Sequence, residues 1–181
     1  MKGNLGKAIA CFKRLGITPR VGDFESKLVM QKTVYLLQIM GIKLGYSYGW
    51  YVRGNYSPDL TKDLYESRSR VESLSGEEKL NQKENSVLDE FEAEMSKKPD
   101  PAVLEIAAAY AYFFKERGMS ARDATIKTKE EKSFFSEMQF VQGINRAKDL
   151  VFKPTADDLA QLKKEMAPWE AASRETMKKF S

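Results

Sequence analysis

Histidine is absent from all 181 residues. Its absence excludes Ser-His-Asp and Cys-His catalysis, histidine general bases and histidine-ligated zinc. Cysteine occurs once, as Cys11, so neither an internal disulfide nor a thiolate metal site can form within one chain. Cys11 lies in an apolar helical stripe, where a small core side chain is expected. No run approaches the roughly 18 apolar residues of a membrane-spanning helix. The opening MKGNLGKAIACFKRLG lacks the unbroken apolar segment and small-residue cleavage site of a secretory signal, so a cytoplasmic protein with no membrane association is expected. P-loop and Gly-x-Gly-x-x-Gly fingerprints are missing too. The acidic pairs Asp157–Asp158 and Glu130–Glu131 are adjacent, and neighbours on a helix point about 100° apart, which makes poor two-carboxylate chemistry. Asp59, Asp63 and Glu66 share a helical face, but so do the exposed acids of ordinary amphipathic helices. The expectation is a non-enzyme with no catalytic residue, cofactor or metal.

What is present is a mixture suited to one packed domain over 1–181. The chain is 42% hydrophobic and 31% charged, with the charges interspersed. The net charge of +4 conceals a skew: residues 1–53 hold nine Lys or Arg against Asp23 and Glu25 alone. Such a face attracts nucleic acid or an acidic protein, although no block is dense in basic residues.

Apolar spacing predicts a mainly α domain of six to eight helices around a small β-hairpin or sheet. Residues 1–98 form the core with an aromatic strand, and 99–181 a helical second half of the same domain. Leu5, Ala8, Ile9, Phe12 and Leu15 mark a first helix, stopped by Gly16. From about Glu25 to Ile42 a second helix is apolar nearly all round, which predicts a buried central position. Lys27, Gln31 and Gln38 form its narrow polar strip. Lys32 falls among Leu28, Leu36 and Ile39, where a lysine must reach water or a partner. We expect it to pair with Asp59 or Asp63.

YSYGWYVRG is aromatic and β-branched enough for a strand, followed by Ser57 as N-cap, Pro58 at N1 and Asp59 at N2 of a helix to about Ser69. Ser75–Glu78 fits a capping box opening a helix to Lys97. Asp100 and Pro101 start another, with Leu104, Ala107, Ala108, Ala111 and Phe114 on its packing face. Ser120 and Asp123 cap the next, and a helix with Phe134, Phe135, Met138, Val141 and Ile144 follows. Thr155 and Asp158 begin the last, with Leu159, Leu162, Met166 and Trp169 in a stripe that Pro168 should kink.

YGWYVRGNYSPDL, residues 48–60, concentrates the chemistry. Arg53 precedes a helix start whose amides can hold an anion or a nucleotide phosphate, although Asp59 already occupies the first turn. Along a strand, alternation sends either Trp50 or Tyr51 to the core and leaves Tyr51 and Arg53 on the opposite face.

Residues Leu28 to Glu66 resemble the YwgA-like proteins and the wider SocA-like, phage-associated group with the Panacea antitoxin domain. Lys32, Tyr35, Leu36, Gly45, Tyr46, Trp50, Gly54, Tyr56, Ser57, Leu60, Leu64 and Tyr65 match the pattern in order, and KPTADDLAQL resembles its closing segment. Asn55 departs from it, standing where proline is usual. The resemblance implies a mainly helical domain with a small sheet, no catalytic centre, and antitoxin or adaptor roles in phage and prophage settings through binding other proteins. Trp50, Tyr51, Arg53, Asn55 and Tyr56 are then the candidate partner-binding residues, since Tyr, Trp and Arg dominate interface hot spots. Lys32, Gly54, Ser57, Pro58, Asp59 and Asp63 form the supporting corner. A DNA- or RNA-binding regulator is the alternative function, and an anion- or nucleotide-binding protein using Arg53 to Asp59 the second.

Overall fold

The computed structural model describes residues 3–96 and 98–152, with isolated positions 160, 163, 164 and 167. Internal contacts divide the chain into two units, Met1–Val151 and Phe152–Ser181. The first is described below; the expected helix start at Thr155 and Asp158, and its stripe of Leu159, Leu162, Met166, Pro168 and Trp169, lie outside the described residues.

Among the described residues of the first unit are eight α-helices and one two-stranded antiparallel sheet, so the expected mainly α fold with a minor β element holds. Helix α1, Leu5–Arg14, is capped by the Asn4 side chain. Asp23 caps α2, Phe24–Ile39, through the amide of Ser26. Eight consecutive α2 residues, Met30 to Leu37, are buried. The hairpin follows, with β1 at Gly49–Tyr51 and β2 at Gly54–Tyr56. Ser57 then accepts from the Leu60 amide to cap α3, Pro58–Glu66, with Pro58 in its first turn.

The expected helix to Ser69 breaks at Ser67 and resumes as α4, Arg68–Glu72. Helix α5 covers Gln82–Met95, and its capping box is Asn81 with Glu84 rather than Ser75 with Glu78. Tertiary contacts decide between the two signals. Glu84 also meets Lys7 at 2.7 Å, whereas Gly76 lies against Ile9 and Glu78 bonds to Asn4.

Helix α6, Pro101–Ala111, is a second buried rod: every residue from Val103 to Ala111 is buried, not one face alone. It continues as a π-helical turn, Tyr112–Glu116, before α7, Ala121–Glu131, and α8, Glu137–Val151. Alpha 8 buries Phe140, Gly143, Ile144, Ala147, Leu150 and Val151 against α6. Only Ile144 of the expected stripe points fully inward. Phe134 and Met138 are more than two-thirds exposed and Val141 is exposed as well, because α8 begins after a break at 132–136 and presents a face one step out of phase. A continuous core runs from Ala8 to Val151 and includes Cys11.

Candidate functional site

Helix α2 sends Lys27, Gln31, Lys32 and Gln38 to residues 46–65, whereas its Ser26 accepts from the Arg20 amide and its Thr33 hydroxyl is buried without a hydrogen-bond partner among the described residues. Gln38 clasps the backbone of Tyr46, donating to its carbonyl at 2.9 Å and accepting from its amide at 2.8 Å. Gln31 donates to the Ser57 carbonyl and the Thr61 hydroxyl and accepts from the Ser57 amide. Tyr48 returns a hydrogen bond to the Gln31 carbonyl, and Lys27 donates to the Tyr65 hydroxyl. The narrow polar strip of Lys27, Gln31 and Gln38 is therefore a row of hooks, and Gln31 is buried. Buried amides kept in helices need such partners, since an unpaired one costs more than a formed bond returns.

Lys32 extends the row. Its ammonium donates to the Asn55 backbone oxygen at 2.6 Å and to the Asn55 side-chain oxygen at 3.0 Å. The expected pairing with Asp59 or Asp63 does not form: Asp63 accepts from the Tyr46 hydroxyl at 2.9 Å, and Asp59 sits exposed in the first turn of α3. Burial pushes the Lys32 pKa down to about 8, with Lys132 acting in the same direction and Glu105 against it. Lys132, at the end of α7, reaches the same place, donating to Glu105 at 2.5 Å and to the Arg53 carbonyl at 3.1 Å.

These lysines explain how so short a sheet holds its shape. The register pairs Gly49 with Tyr56, Trp50 with Asn55 and Tyr51 with Gly54 across a two-residue turn, Val52–Arg53. In such a hairpin the residues closing the turn bond to each other, so Asn55 turns its backbone outward. Lys32 and Lys132 cap the carbonyls of Asn55 and Arg53 along that outer edge, where a third strand would otherwise donate. Gly54 takes φ +102, open to glycine but strained for other residues.

Alternation sends Trp50 inward, onto Tyr112 and Phe113 of the π-helical turn at ring distances of 5.3 and 4.4 Å. Tyr51 points out, half exposed and edge-on to the half-buried Tyr56. Arg53 lies in the turn, not in the strand, with its guanidinium 4.7 Å from the centre of the Phe24 ring. Asn55 is fully buried and so belongs to the support rather than to the contact surface.

Phe24 and Val52, not singled out from the sequence, and Phe134, expected in an apolar helical stripe, are all exposed. Phe24 is linked to the hairpin turn by Arg53, and Phe134 by Lys132, which lies 5.8 Å from that ring. No protein-family model, curated protein or solved structure matches this chain.

Proposed function

We propose that this chain is a non-enzymatic protein-interaction module, of the antitoxin or phage- and defence-associated regulator kind, that docks its partner on the hairpin tip. The observation that carries the reading is the contrast between base and tip. The base is locked by buried polar hooks, while Tyr51, Val52, Phe24 and Phe134 stand exposed around Arg53. Rigid presentation of aromatic and apolar side chains lowers the entropy cost of binding. Arg53 and Lys27 contact aromatic rings and have no carboxylate partner among the described residues. The occupant that fits is a protein segment with an apolar anchor flanked by carboxylates.

The basic skew that favours nucleic acid is partly spent inside the fold. Lys7 pairs with Glu84, Arg14 with Asp89 and Glu92, and Lys32 is buried. The test compares complexes isolated from native cells with the wild type and with Val52→Asp/Arg53→Ala. The expected result is one protein lost from the variant, whose melting temperature stays within a degree or so of wild type. A partner retained at full stoichiometry would sink the docking site. Salt-sensitive binding of DNA or RNA that the variant keeps would favour a nucleic-acid regulator instead.

A further inference from the structure

The hairpin has two outer edges, and side chains of the described residues close one of them. Along β2 and its two ends the outward-facing backbone belongs to every second residue, Arg53, Asn55 and Ser57. Each is met by a side chain: Lys132 donates to the Arg53 carbonyl, Lys32 to that of Asn55, and Gln31 bonds to both the amide and the carbonyl of Ser57. The same register turns the backbones of Tyr48, Trp50 and Val52 outward from β1. None of these three has a hydrogen bond on that side to the described residues. Burial follows the same division, since Gly54, Asn55 and Ser57 are buried whereas no residue from Ser47 to Arg53 is.

A free amide and carbonyl on every second residue match the spacing of another extended backbone. Beside this edge Tyr51 lays its ring over Gly49, where an added Cβ would come within 3.1 Å of that ring. Arg53 is exposed and has no carboxylate partner among the described residues. We infer that an extended segment of the partner protein adds to β1 as a third strand, hydrogen-bonded to Tyr48 and Trp50, with an apolar side chain on the Tyr51 ring and a carboxylate on Arg53. This rests on the reading of the chain as a protein-interaction module and names the form its partner takes. A second copy pairing β1 with β1 would offer Arg53 no acid, because residues 40–53 contain neither Asp nor Glu.

Randomised linear peptides are displayed and selected on the full chain, and the strongest binder is synthesised as the probe. In its complex, amide exchange at Tyr48 and Trp50 is expected to slow by about tenfold or more, while Tyr51, already bonded across the hairpin, stays unchanged. Methylating the peptide nitrogens one at a time should weaken binding by about tenfold at every second position and little between, because alternate amides face β1. A library that yields no binder, a Trp50 amide that exchanges at its free rate in the complex, or losses without a two-residue period would overturn the proposal. So would a dimer that protects Trp50 in the chain alone. Failure of the tip is read separately, from the native partner of Val52→Asp/Arg53→Ala. A partner lost from that variant, with Trp50 unprotected by the peptide, upholds the tip and rejects the third strand. A partner retained, with the two-residue period intact, rejects the tip and upholds the strand.

Discussion

Lys32 keeps a buried ammonium on two oxygens of one residue, and burial holds its pKa down at about 8, against 10.5 ordinarily. The folded chain therefore releases this proton before the unfolded chain does. Below about pH 8 both states hold it and the cost of burial is felt in full. From there towards 10.5 the unfolded state binds more protons, so stability rises with pH. The gain is on the order of 2–3 kcal/mol. It is to be read between pH 7 and 10, as the difference in urea unfolding between wild type and Lys32→Met. Parallel curves would show that Lys32 does not titrate in this window. Buried Cys11, raised from 9.0 to about 12, acts in the opposite sense from about pH 9, and buried Tyr35, Tyr46 and Tyr48, whose hydroxyl pKa values are raised, do so above pH 10; all are common to both proteins and cancel in the difference. Gln31 is the other residue on which the corner depends. Gln31→Ala removes three hydrogen bonds and is expected to cost about 3 kcal/mol by denaturant unfolding. A loss below about 1 kcal/mol would mean that the Ser57 backbone finds other partners.

Among the elements, the tightest fit lies between α6 and α8. A Cβ on Gly143 would come within 2.6 Å of Ile106 and 3.1 Å of the Val103 carbonyl. Gly143→Ala gains about 1 kcal/mol of helix propensity yet forces the helices apart, for an expected net loss of about 1–3 kcal/mol. Ile106→Gly removes both clashing atoms, the Cβ and one Cγ, and should make the double variant less unstable than the two single losses summed; strict additivity would contradict the clash. Local signals in the sequence located most helix starts, because Asp100, Ser57 and Ser120 cap through atoms two or three residues away. The buried character of α2 was equally legible from its unbroken apolar run. The partner of Lys32, the choice of Asn81 over Ser75 and the phase of α8 were not. Each is decided by residues distant in sequence: Asn55, Lys7 and Ile106 respectively. The π-helical turn was equally hidden, since no local residue pattern distinguishes Tyr112–Glu116 from the α-helix that it extends. At the candidate site, the outward Tyr51 and inward Trp50 followed from strand alternation, but the exposed Phe24 and Phe134 required the fold.

At the scale of the whole molecule, α2 and α6 pack on each other and form the centre of the first unit. Among the described residues, amide hydrogen exchange should be slowest over Met30–Leu37 and Val103–Ala111, whose opening requires global unfolding, and fast over residues 75–80, outside any helix or strand. Protection spread evenly along the chain would contradict a core organised on those two rods. The same interior isolates the molecule's lone thiol. Cys11 is buried and its pKa is pushed up to about 12, so thiolate is scarce at neutral pH. A cysteine introduced at the fully exposed Val52 would consequently be the one thiol that maleimide reagents reach in the native state. The natural sequence is thus ready for single-site labelling, and a fluorophore or photocrosslinker placed there would report directly on whatever approaches the hairpin.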